Sequence, residues 1–381
     1  MALRLFVVAP IALLTDSKPH GDGLAAFGFI HELASRGHDL QIAARRVDLH
    51  EPLPENVALH VLDPGHSSVS LGRLRFIAAL RRLYRRLERQ APFDVAHQLN
   101  PVDAGISLGL AGRPVPLVLG PYVPDWPDFP KPGGRLARPA VIRVNRMIGA
   151  AQQRRATTLI LSTPAAASRV AVDGVRTREV PYGIDERAWV PAGETAGQDV
   201  LFLANLEVRK GIHVMLDAFE RVASRLPSAR LLVAGEGPEL EAVRRRAATG
   251  PAPDRIELLG HVQRDRVMGL MQRSDLYCLP SFAEPFGMTA LEAMACGKPV
   301  VATAAGGLAH LVPDEGGRKV PPRDPGALAE ALYELLVDVD RRRAMGRYNR
   351  ELVERRYTWP KVVDRLEQTY EEAMRATGQA V

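Results

Sequence analysis

The stretch 281–305, Ser-Phe-Ala-Glu-Pro-Phe-Gly-Met-Thr-Ala-Leu-Glu-Ala-Met-Ala-Cys-Gly-Lys-Pro-Val-Val-Ala-Thr-Ala-Ala, constrains the fold more than any other part of the chain. Residues 276–279 before it and 299–302 within it are short apolar runs of strand length, and 289–295 between them reads as a helix. A strand, a loop, a helix and a second strand in this order join two strands of one sheet, the connection that parallel neighbours require.

The loop carries the chemistry. Gly287 stands where strand hands over to helix, so the N–H groups of Met288 and Thr289 are left free above the sheet with the positive end of the helix dipole behind them. Such a place attracts phosphate. Glu284 precedes the helix and Glu292 lies about one turn inside it; an ionised glutamate only accepts hydrogen bonds, which suits sugar or ribose hydroxyls. The plain alternative is a surface helix with a capping glutamate, because two glutamates at this spacing arise by chance in many proteins.

The surrounding residues sharpen this reading. Pro285-Phe286-Gly287, Ala293-Met-Ala-Cys-Gly-Lys-Pro-Val-Val-Ala and Gly306-Gly307 together resemble the signature of the retaining glycosyltransferases of the GT-B fold, family 4, also called glycosyl transferases group 1. The resemblance implies an α/β protein of two Rossmann-like doubly wound domains facing across a cleft, with a C-terminal helix crossing back to the first domain. It also implies a nucleotide-diphosphate sugar donor, on UDP or GDP, held around Glu284, Phe286, Gly287, Met288, Thr289 and Glu292, and neither a cofactor nor a metal.

A chain of 381 residues suggests two domains of about 180 residues each. Charged residues at 25% and hydrophobic ones at 46% describe a soluble globular protein. The formal charge of +6, from 50 basic and 44 acidic groups, favours anionic partners such as nucleotide diphosphates or acidic lipid head groups. Cys278 and Cys296 fall in a strand and at a helix end, where they read as reduced core residues and point to a cytoplasmic location. The apolar run 5–14 imitates a signal peptide, but Pro10 interrupts it, Arg4 alone makes a poor basic flank and no small-residue cleavage site follows, so it reads as a first strand. No apolar run approaches the length of a spanning helix.

The first half of the chain follows a βαβ rhythm. A strand at 3–9 leads through His20-Gly21-Asp22-Gly23 to a helix at 24–36 closed by Gly37, then a strand at 39–44. Gly23 would let a ligand approach the backbone at that turn. Segment 73–89 is strongly basic, with Phe76, Leu80, Leu83, Tyr84 and Leu87 on one helical face and arginines on the other. It reads either as a membrane-surface helix serving a lipid acceptor or, more commonly for such a charge pattern, as a sheet-packing helix with a solvated arginine face. His97 ends a strand that would carry polar groups into the ligand crevice, and the resemblance makes it a contact to the donor sugar; a satisfied structural histidine is the alternative. The proline-rich loop 123–134, with Trp126 and Phe129, is long enough to suggest a role in shaping the acceptor site. Helices are expected at 138–155 and 165–170. These features place a first domain at 1–182, for the acceptor, and a polar linker at 183–198.

The rhythm restarts in a nucleotide-sugar domain at 199–357. Strands at 200–206, 230–234 and 255–259 alternate with helices at 212–226 and 265–272. Gly235-Glu-Gly237 fails as a dinucleotide fingerprint, since Leu240 stands where a third glycine belongs; under the resemblance Gly235 approaches the donor phosphate or ribose, and His261 and Val262 hold the base. The same resemblance places diphosphate-neutralising side chains on 204–211. Lys210 matches, but Asn205 occupies the position of the expected arginine and carries no charge, so Arg209 is the candidate substitute. Lys319-Val320 marks a further loop near the crevice. Asp338-Val-Asp340 is a literal Asp-x-Asp, read as a solvated helix terminus because it does not follow a strand. Helices at 327–337 and 341–356 precede the final segment 358–381, which is expected to pack back on the first domain.

The resulting expectation is a metal-independent, retaining transferase that moves a hexosyl or N-acetylhexosaminyl group to a hydroxyl of a small natural product such as an aminocyclitol, a polysaccharide or a lipid-linked sugar. Glu284, His97 and Lys210 carry the catalytic roles. A nucleotide-sugar epimerase of the same fold, and a non-catalytic sugar- or nucleic-acid-binding protein, are the rival readings. The charge and motif content argue against nucleic acid.

Overall fold

The computed structural model describes residues 2–18, 21–62, 69–100, 105–110, 115–124, 139–193 and 195–378. It divides into two compact units, Met1–Gly183 with Trp359–Val381 and Ile184–Thr358.

The first unit runs β1 (Arg4–Ala9), β2 (Leu14–Thr15), α1 (Gly21–Ser35), β3 (Asp39–Ala44), β4 (Val47–Asp48), β5 (Val57–Val61), α2 (Val69–Gln90), β6 (Val95–Gln98), β7 (Leu117–Tyr122), α3 (Pro139–Gln153), β8 (Thr158–Leu161) and β9 (Arg176–Glu179). Among the described residues its main sheet has the order β5-β3-β1-β6-β7-β8-β9, all parallel. The central strands are apolar on both faces because helices cover both. Helix α2 buries the stripe expected of it, Phe76, Leu80, Leu83, Tyr84 and Leu87, and the Phe6 ring meets Tyr84 edge-on at 5.0 Å.

The C-terminal helix Trp359–Ala376 packs within this unit. Arg36 donates to Asp364 and Glu367 at 2.8 and 2.6 Å. The Trp359 indole lies where a Cβ on Gly28 would be 2.0 Å from it and one on Gly183 2.6 Å, so both glycines are needed to admit the ring.

The second unit runs β10 (Asp199–Leu203), α4 (Ile212–Arg225), β11 (Arg230–Ala234), α5 (Leu240–Thr249), β12 (Ile256–Gly260), α6 (Arg264–Arg273), β13 (Leu276–Leu279), α7 (Met288–Ala295), β14 (Val300–Thr303), α8 (Leu308–Leu311), β15 (Gly317–Val320), α9 (Pro325–Val337) and α10 (Val339–Arg356). Its strands are parallel in the order β12-β11-β10-β13-β14-β15. Asp324 caps α9, accepting from Ala327 N at 2.9 Å, and Asp338 caps α10, accepting from Arg341 N at 3.0 Å. The Asp-x-Asp is therefore the start of a helix, as its position implied.

The structure departs from the sequence expectations in several places. Of residues 183–198, expected as a linker, Gly183 closes the first unit and 184–198 are counted with the second: Ile184 bridges to Thr358 and Trp189 is buried. Lys319-Val320 is not a loop but part of strand β15. Helix α5 had no counterpart in the sequence reading, and Pro164–Arg169 is a short 3-10 turn rather than an α-helix. Trp126 and Phe129 of the proposed acceptor loop lie outside the described residues. Among those described, no helix is long and apolar enough to cross a membrane.

Candidate functional site

Strand order reverses at β10 in the second unit, with β11 and β12 on one side and β13 and β14 on the other. Loops leaving the carboxyl ends of strands diverge at such a point, and ligands of open parallel sheets bind there. The loop after β10 carries Asn205, Arg209 and Lys210; the loop after β13 carries 281–287.

The two loops are tied by main chain and by charge. Phe282 N donates to Arg209 O at 2.7 Å, and Ser281 Oγ sits 3.1 Å from the same carbonyl. Thr303 Oγ1 donates to Ser281 O from the end of β14. Across the crevice Lys210 Nζ meets Glu284 Oε2 at 2.5 Å, and their side chains are only 14% and 9% exposed. Residues 74 apart in sequence thus form one polar centre. Arg209 is not turned out to solvent: its Nε donates to Glu207 at 2.7 Å and its Nη1 reaches Ala283 O at 3.4 Å, next to Glu284. Asn205 is exposed.

Close approach explains the glycines. At φ 78, Gly211 sits so near Pro280 that a Cβ would be 2.0 Å from the proline carbonyl oxygen. Gly306, at φ 55, presses against Glu284, whose carbonyl accepts from Gly307 N at 2.8 Å. Only a residue without a Cβ allows backbones this near.

Gly287, left-handed at φ 105, starts α7, and no side chain caps it. The first-turn amides of Met288 and Thr289 are therefore the helix's positive end. Tyr277, fully buried, places its hydroxyl 2.6 Å from Thr289 Oγ1 and 3.1 Å from Leu203 O, pinning this helix start to the end of β10. Phe286 is buried and meets Tyr357 edge-on at 6.3 Å, which fixes the loop.

One turn into α7, Glu292 is 7% exposed. Burial pushes its carboxyl up to about 7, against the pull of the Arg264 guanidinium, whose Nη1 is 3.6 Å away. Gly235, at φ 140, lies between Ala204 and the end of β12, donating to Gly260 O at 2.8 Å. His261, exposed, and Val262, half-buried, follow β12 at the same carboxyl edge of the sheet. Lys210, Arg209, Glu284 and α7 are thus brought together, while Tyr277, Ser281 and Arg264 join them without any sequence signal of their own.

Two candidates belong to the first unit instead. Gly23 is not in a turn but inside the first turn of α1. His97 is fully buried, with Nδ1 2.6 Å from the Tyr370 hydroxyl and Nε2 3.0 Å from Gly120 O. Burial lowers its pKa to about 4, so the ring is neutral, Nε2–H donates to the carbonyl and Nδ1 accepts from the tyrosine. Both nitrogens are taken up inside the unit, the arrangement of the satisfied structural histidine that was the alternative to a sugar contact.

Residues 189–352 match the family model described as glycosyl transferases group 1, and 23–183 match that of a glycosyl transferase 4-like domain. The chain belongs to the group 1 glycosyl transferases. This member of the family is 28% identical over 382 residues to the phosphatidyl-myo-inositol mannosyltransferase of Mycolicibacterium smegmatis, covering 97% of this chain and 94% of that protein. It is 36% identical over 202 residues to the protein so named in Mycobacterium leprae, covering 51% and 53%. The chain spans about half the length of several curated relatives it matches. Among solved structures, sucrose-phosphate synthase from Thermosynechococcus elongatus superposes with a TM-score of 0.76 at 21% identity, covering 98% of this chain and 100% of that one. Anabaena HepE, solved with UDP-glucose, gives 0.70 at 18%, covering 97% and 100%. The fold is GT-B, α/β with a parallel sheet in each of two units.

Proposed function

We propose that this group 1 glycosyl transferase moves a hexosyl or N-acetylhexosaminyl group from a nucleotide-diphosphate sugar to a hydroxyl acceptor, retaining anomeric configuration and using no metal. The observation that carries this reading is the Lys210–Glu284 pair beside the uncapped start of α7. It sets a cation, a hydrogen-bond acceptor and free amides around one point.

Each has a task as the anomeric carbon–oxygen bond breaks. Charge growing on the leaving diphosphate is met by Lys210, by Arg209 and by the amides of Met288 and Thr289, a preorganised electrostatic stabilisation. Glu284 accepts from hydroxyls of the donor sugar and Glu292 from the ribose diol. The acceptor oxygen bonds to the anomeric carbon on the face the diphosphate leaves, and its proton passes to a phosphate oxygen. Every charge in this scheme is answered by a side chain or an amide of the chain, so no step requires a metal. The Anabaena neighbour's complex with UDP-glucose supports a nucleoside-diphosphate hexose as donor.

The relatives named as phosphatidyl-myo-inositol mannosyltransferases support a lipid-linked acceptor among the three acceptor classes. So do α2 and α3, which expose Leu71, Leu74, Ile142, Val144 and Met147 at 44–65% among exposed arginines such as Arg75, Arg82, Arg143 and Arg146. An apolar band with basic neighbours suits the surface of an anionic membrane, where the chain would act as a peripheral enzyme of the cytoplasmic side.

A thermal-shift series with UDP, GDP, ADP and their sugars tests the donor reading, because a ligand that binds only the native state raises its melting temperature. One nucleotide should stabilise the protein; Glu292→Ala should weaken that shift, and Glu284→Ala should mainly lower turnover with the matching donor. Stabilisation by none of them would remove the proposal, and turnover that disappears with EDTA would remove the metal-free part.

A further inference from the structure

Glu292 and Arg264, at the carboxyl edge of the second sheet, hold hydrogen-bonding capacity that the protein leaves unused. The Glu292 side chain is 9% exposed and takes no hydrogen bond from a described residue, although a carboxylate offers about four lone-pair sites. Its oxygens are not among the sealed unpartnered atoms, so a ligand in the crevice can reach them. Arg264 opens α6, two residues after Val262. Its side chain is 46% exposed, and among the described residues its N–H groups meet no hydrogen-bond acceptor. The guanidinium is nevertheless held in place. It lies over the ring of the buried Trp189, 5.6 Å from the centroid, a cation–π contact, and Arg350 Nη1 holds the Trp189 carbonyl at 2.6 Å.

Arg264 Nη1 stands 3.6 Å from Glu292 Oε1. That is too long for a direct bond, and it is the gap that one hydroxyl spans: an oxygen about 2.8 Å from each atom accepts from the guanidinium and donates to the carboxylate. A phosphate oxygen does not suit the same point, because it is charged like the carboxylate and has no proton to give it.

The arginine also supports the acceptor in its anionic form. Tyr277 from β13 and Cys296 at the end of α7 are kept neutral by burial. Glu284, before α7, is matched by Lys210 at 2.5 Å, and Arg350 from α10 gives its Nε to Glu354 at 2.6 Å. Arg264 is thus the cation that opposes the effect of burial on Glu292.

We infer that Arg264 is a second ligand of the donor's ribose, its guanidinium and the Glu292 carboxylate bracketing one hydroxyl of the diol, and that it makes the site selective for a ribonucleotide over its deoxy counterpart. This rests on the reading of Glu292 as the ribose contact.

Calorimetric titration of the full chain with UDP, GDP and ADP, and with the 2′-deoxy and 3′-deoxy forms of whichever binds, tests this. Loss of the bracketed hydroxyl should weaken wild-type binding at least about tenfold, as expected for bonds to charged groups. Arg264→Gln should weaken the ribonucleotide by a similar factor and the form lacking that hydroxyl by less, so that the gap between them narrows. The rise of affinity with pH should also move upward in Arg264→Gln, because Glu292 loses the charge that favours its anion. It should stay in place in Arg264→Lys, which keeps the charge without the fork. A packing role alone would move neither the ribose preference nor the pH profile. Binding of no nucleotide by the wild type would remove the donor reading and this inference with it. Wild-type binding, with ribose preference and pH profile both unchanged in Arg264→Gln, would overturn this inference and leave the donor reading standing.

Discussion

Glu292 shows how much one carboxylate's surroundings decide. Its folded pKa is raised to about 7 from an ordinary 4.5 by burial, so the empty protein keeps the carboxyl protonated well above the ordinary carboxylate range, with the two forms near balance at neutral pH. Stability from this group is full below the ordinary carboxylate range and is lost as pH rises through about 7, at most on the order of 3 kcal/mol. Glu292→Gln should therefore melt above the wild type at pH 8, with the gap shrinking at pH 5, in scanning calorimetry of the unliganded protein. Nucleotide binding should move oppositely. Under the proposed contact of Glu292 with the ribose diol, the anion is the stronger acceptor, so wild-type affinity should rise between pH 6 and 8, whereas the Gln variant should bind weakly and without that slope. The placement of Glu284 before α7, of Glu292 one turn inside it and of Lys210 just before α4 was legible in the sequence because each sits in a contiguous pattern whose loop geometry is local. Tyr277 and Ser281 were not, since a buried tyrosine and a loop serine acquire their roles only from strands distant in the chain. His97 stayed open between a ligand contact and a structural role for the same reason: a strand-end histidine looks identical in sequence whether it faces a ligand or a tyrosine 273 residues later.

Among the elements, the C-terminal helix is anchored by specific polar contacts. Besides Arg36, it is held by His38, whose Nε2 is 2.8 Å from Glu367, and by Tyr370, the hydrogen-bond donor to His97. Tyr370→Phe leaves Nδ1 of a fully buried ring unsatisfied and should cost about 1–3 kcal/mol, read as a lower urea midpoint without loss of secondary structure. Gly28→Ala should do more, because the Trp359 ring it would strike is also packed edge-on against Phe29 at 5.1 Å; a red-shifted tryptophan emission would report the displaced indole. Strands with apolar runs, such as β13 and β11, could be placed from sequence to the residue. Helix α5 escaped because only Val243 and Ala247 are buried along it, too thin a stripe to register as periodic. Strand β15, Gly-Arg-Lys-Val, escaped because an edge strand need not be apolar.

At the scale of the whole molecule, the doubled α/β rhythm was readable since each parallel sheet repeats one local unit, and the end of the first domain expected at 182 falls one residue from the observed division after Gly183, while the packed state of the residues that follow was not. Polar, glycine-bearing residues after Gly183 look like a tether, yet Trp189 anchors them: its carbonyl accepts from Arg350 at 2.6 Å. The exposed band on α2 and α3 gives the prediction that belongs at this scale. The protein should sediment with vesicles containing phosphatidylglycerol and not with purely zwitterionic ones, less so as salt is raised. Leu74→Glu with Met147→Glu should reduce the bound fraction about tenfold; equal sedimentation of wild type and variant would dismiss membrane docking. The return of residues 359–376 to the first unit has a further consequence during synthesis. A ribosome finishes 1–183 and then must make the entire second unit before the segment bearing Trp359 and Tyr370 emerges. Until then the slot between Gly28 and Gly183 stands open and His97 waits for its tyrosine, so the half of the chain that is translated first is the half that is completed last.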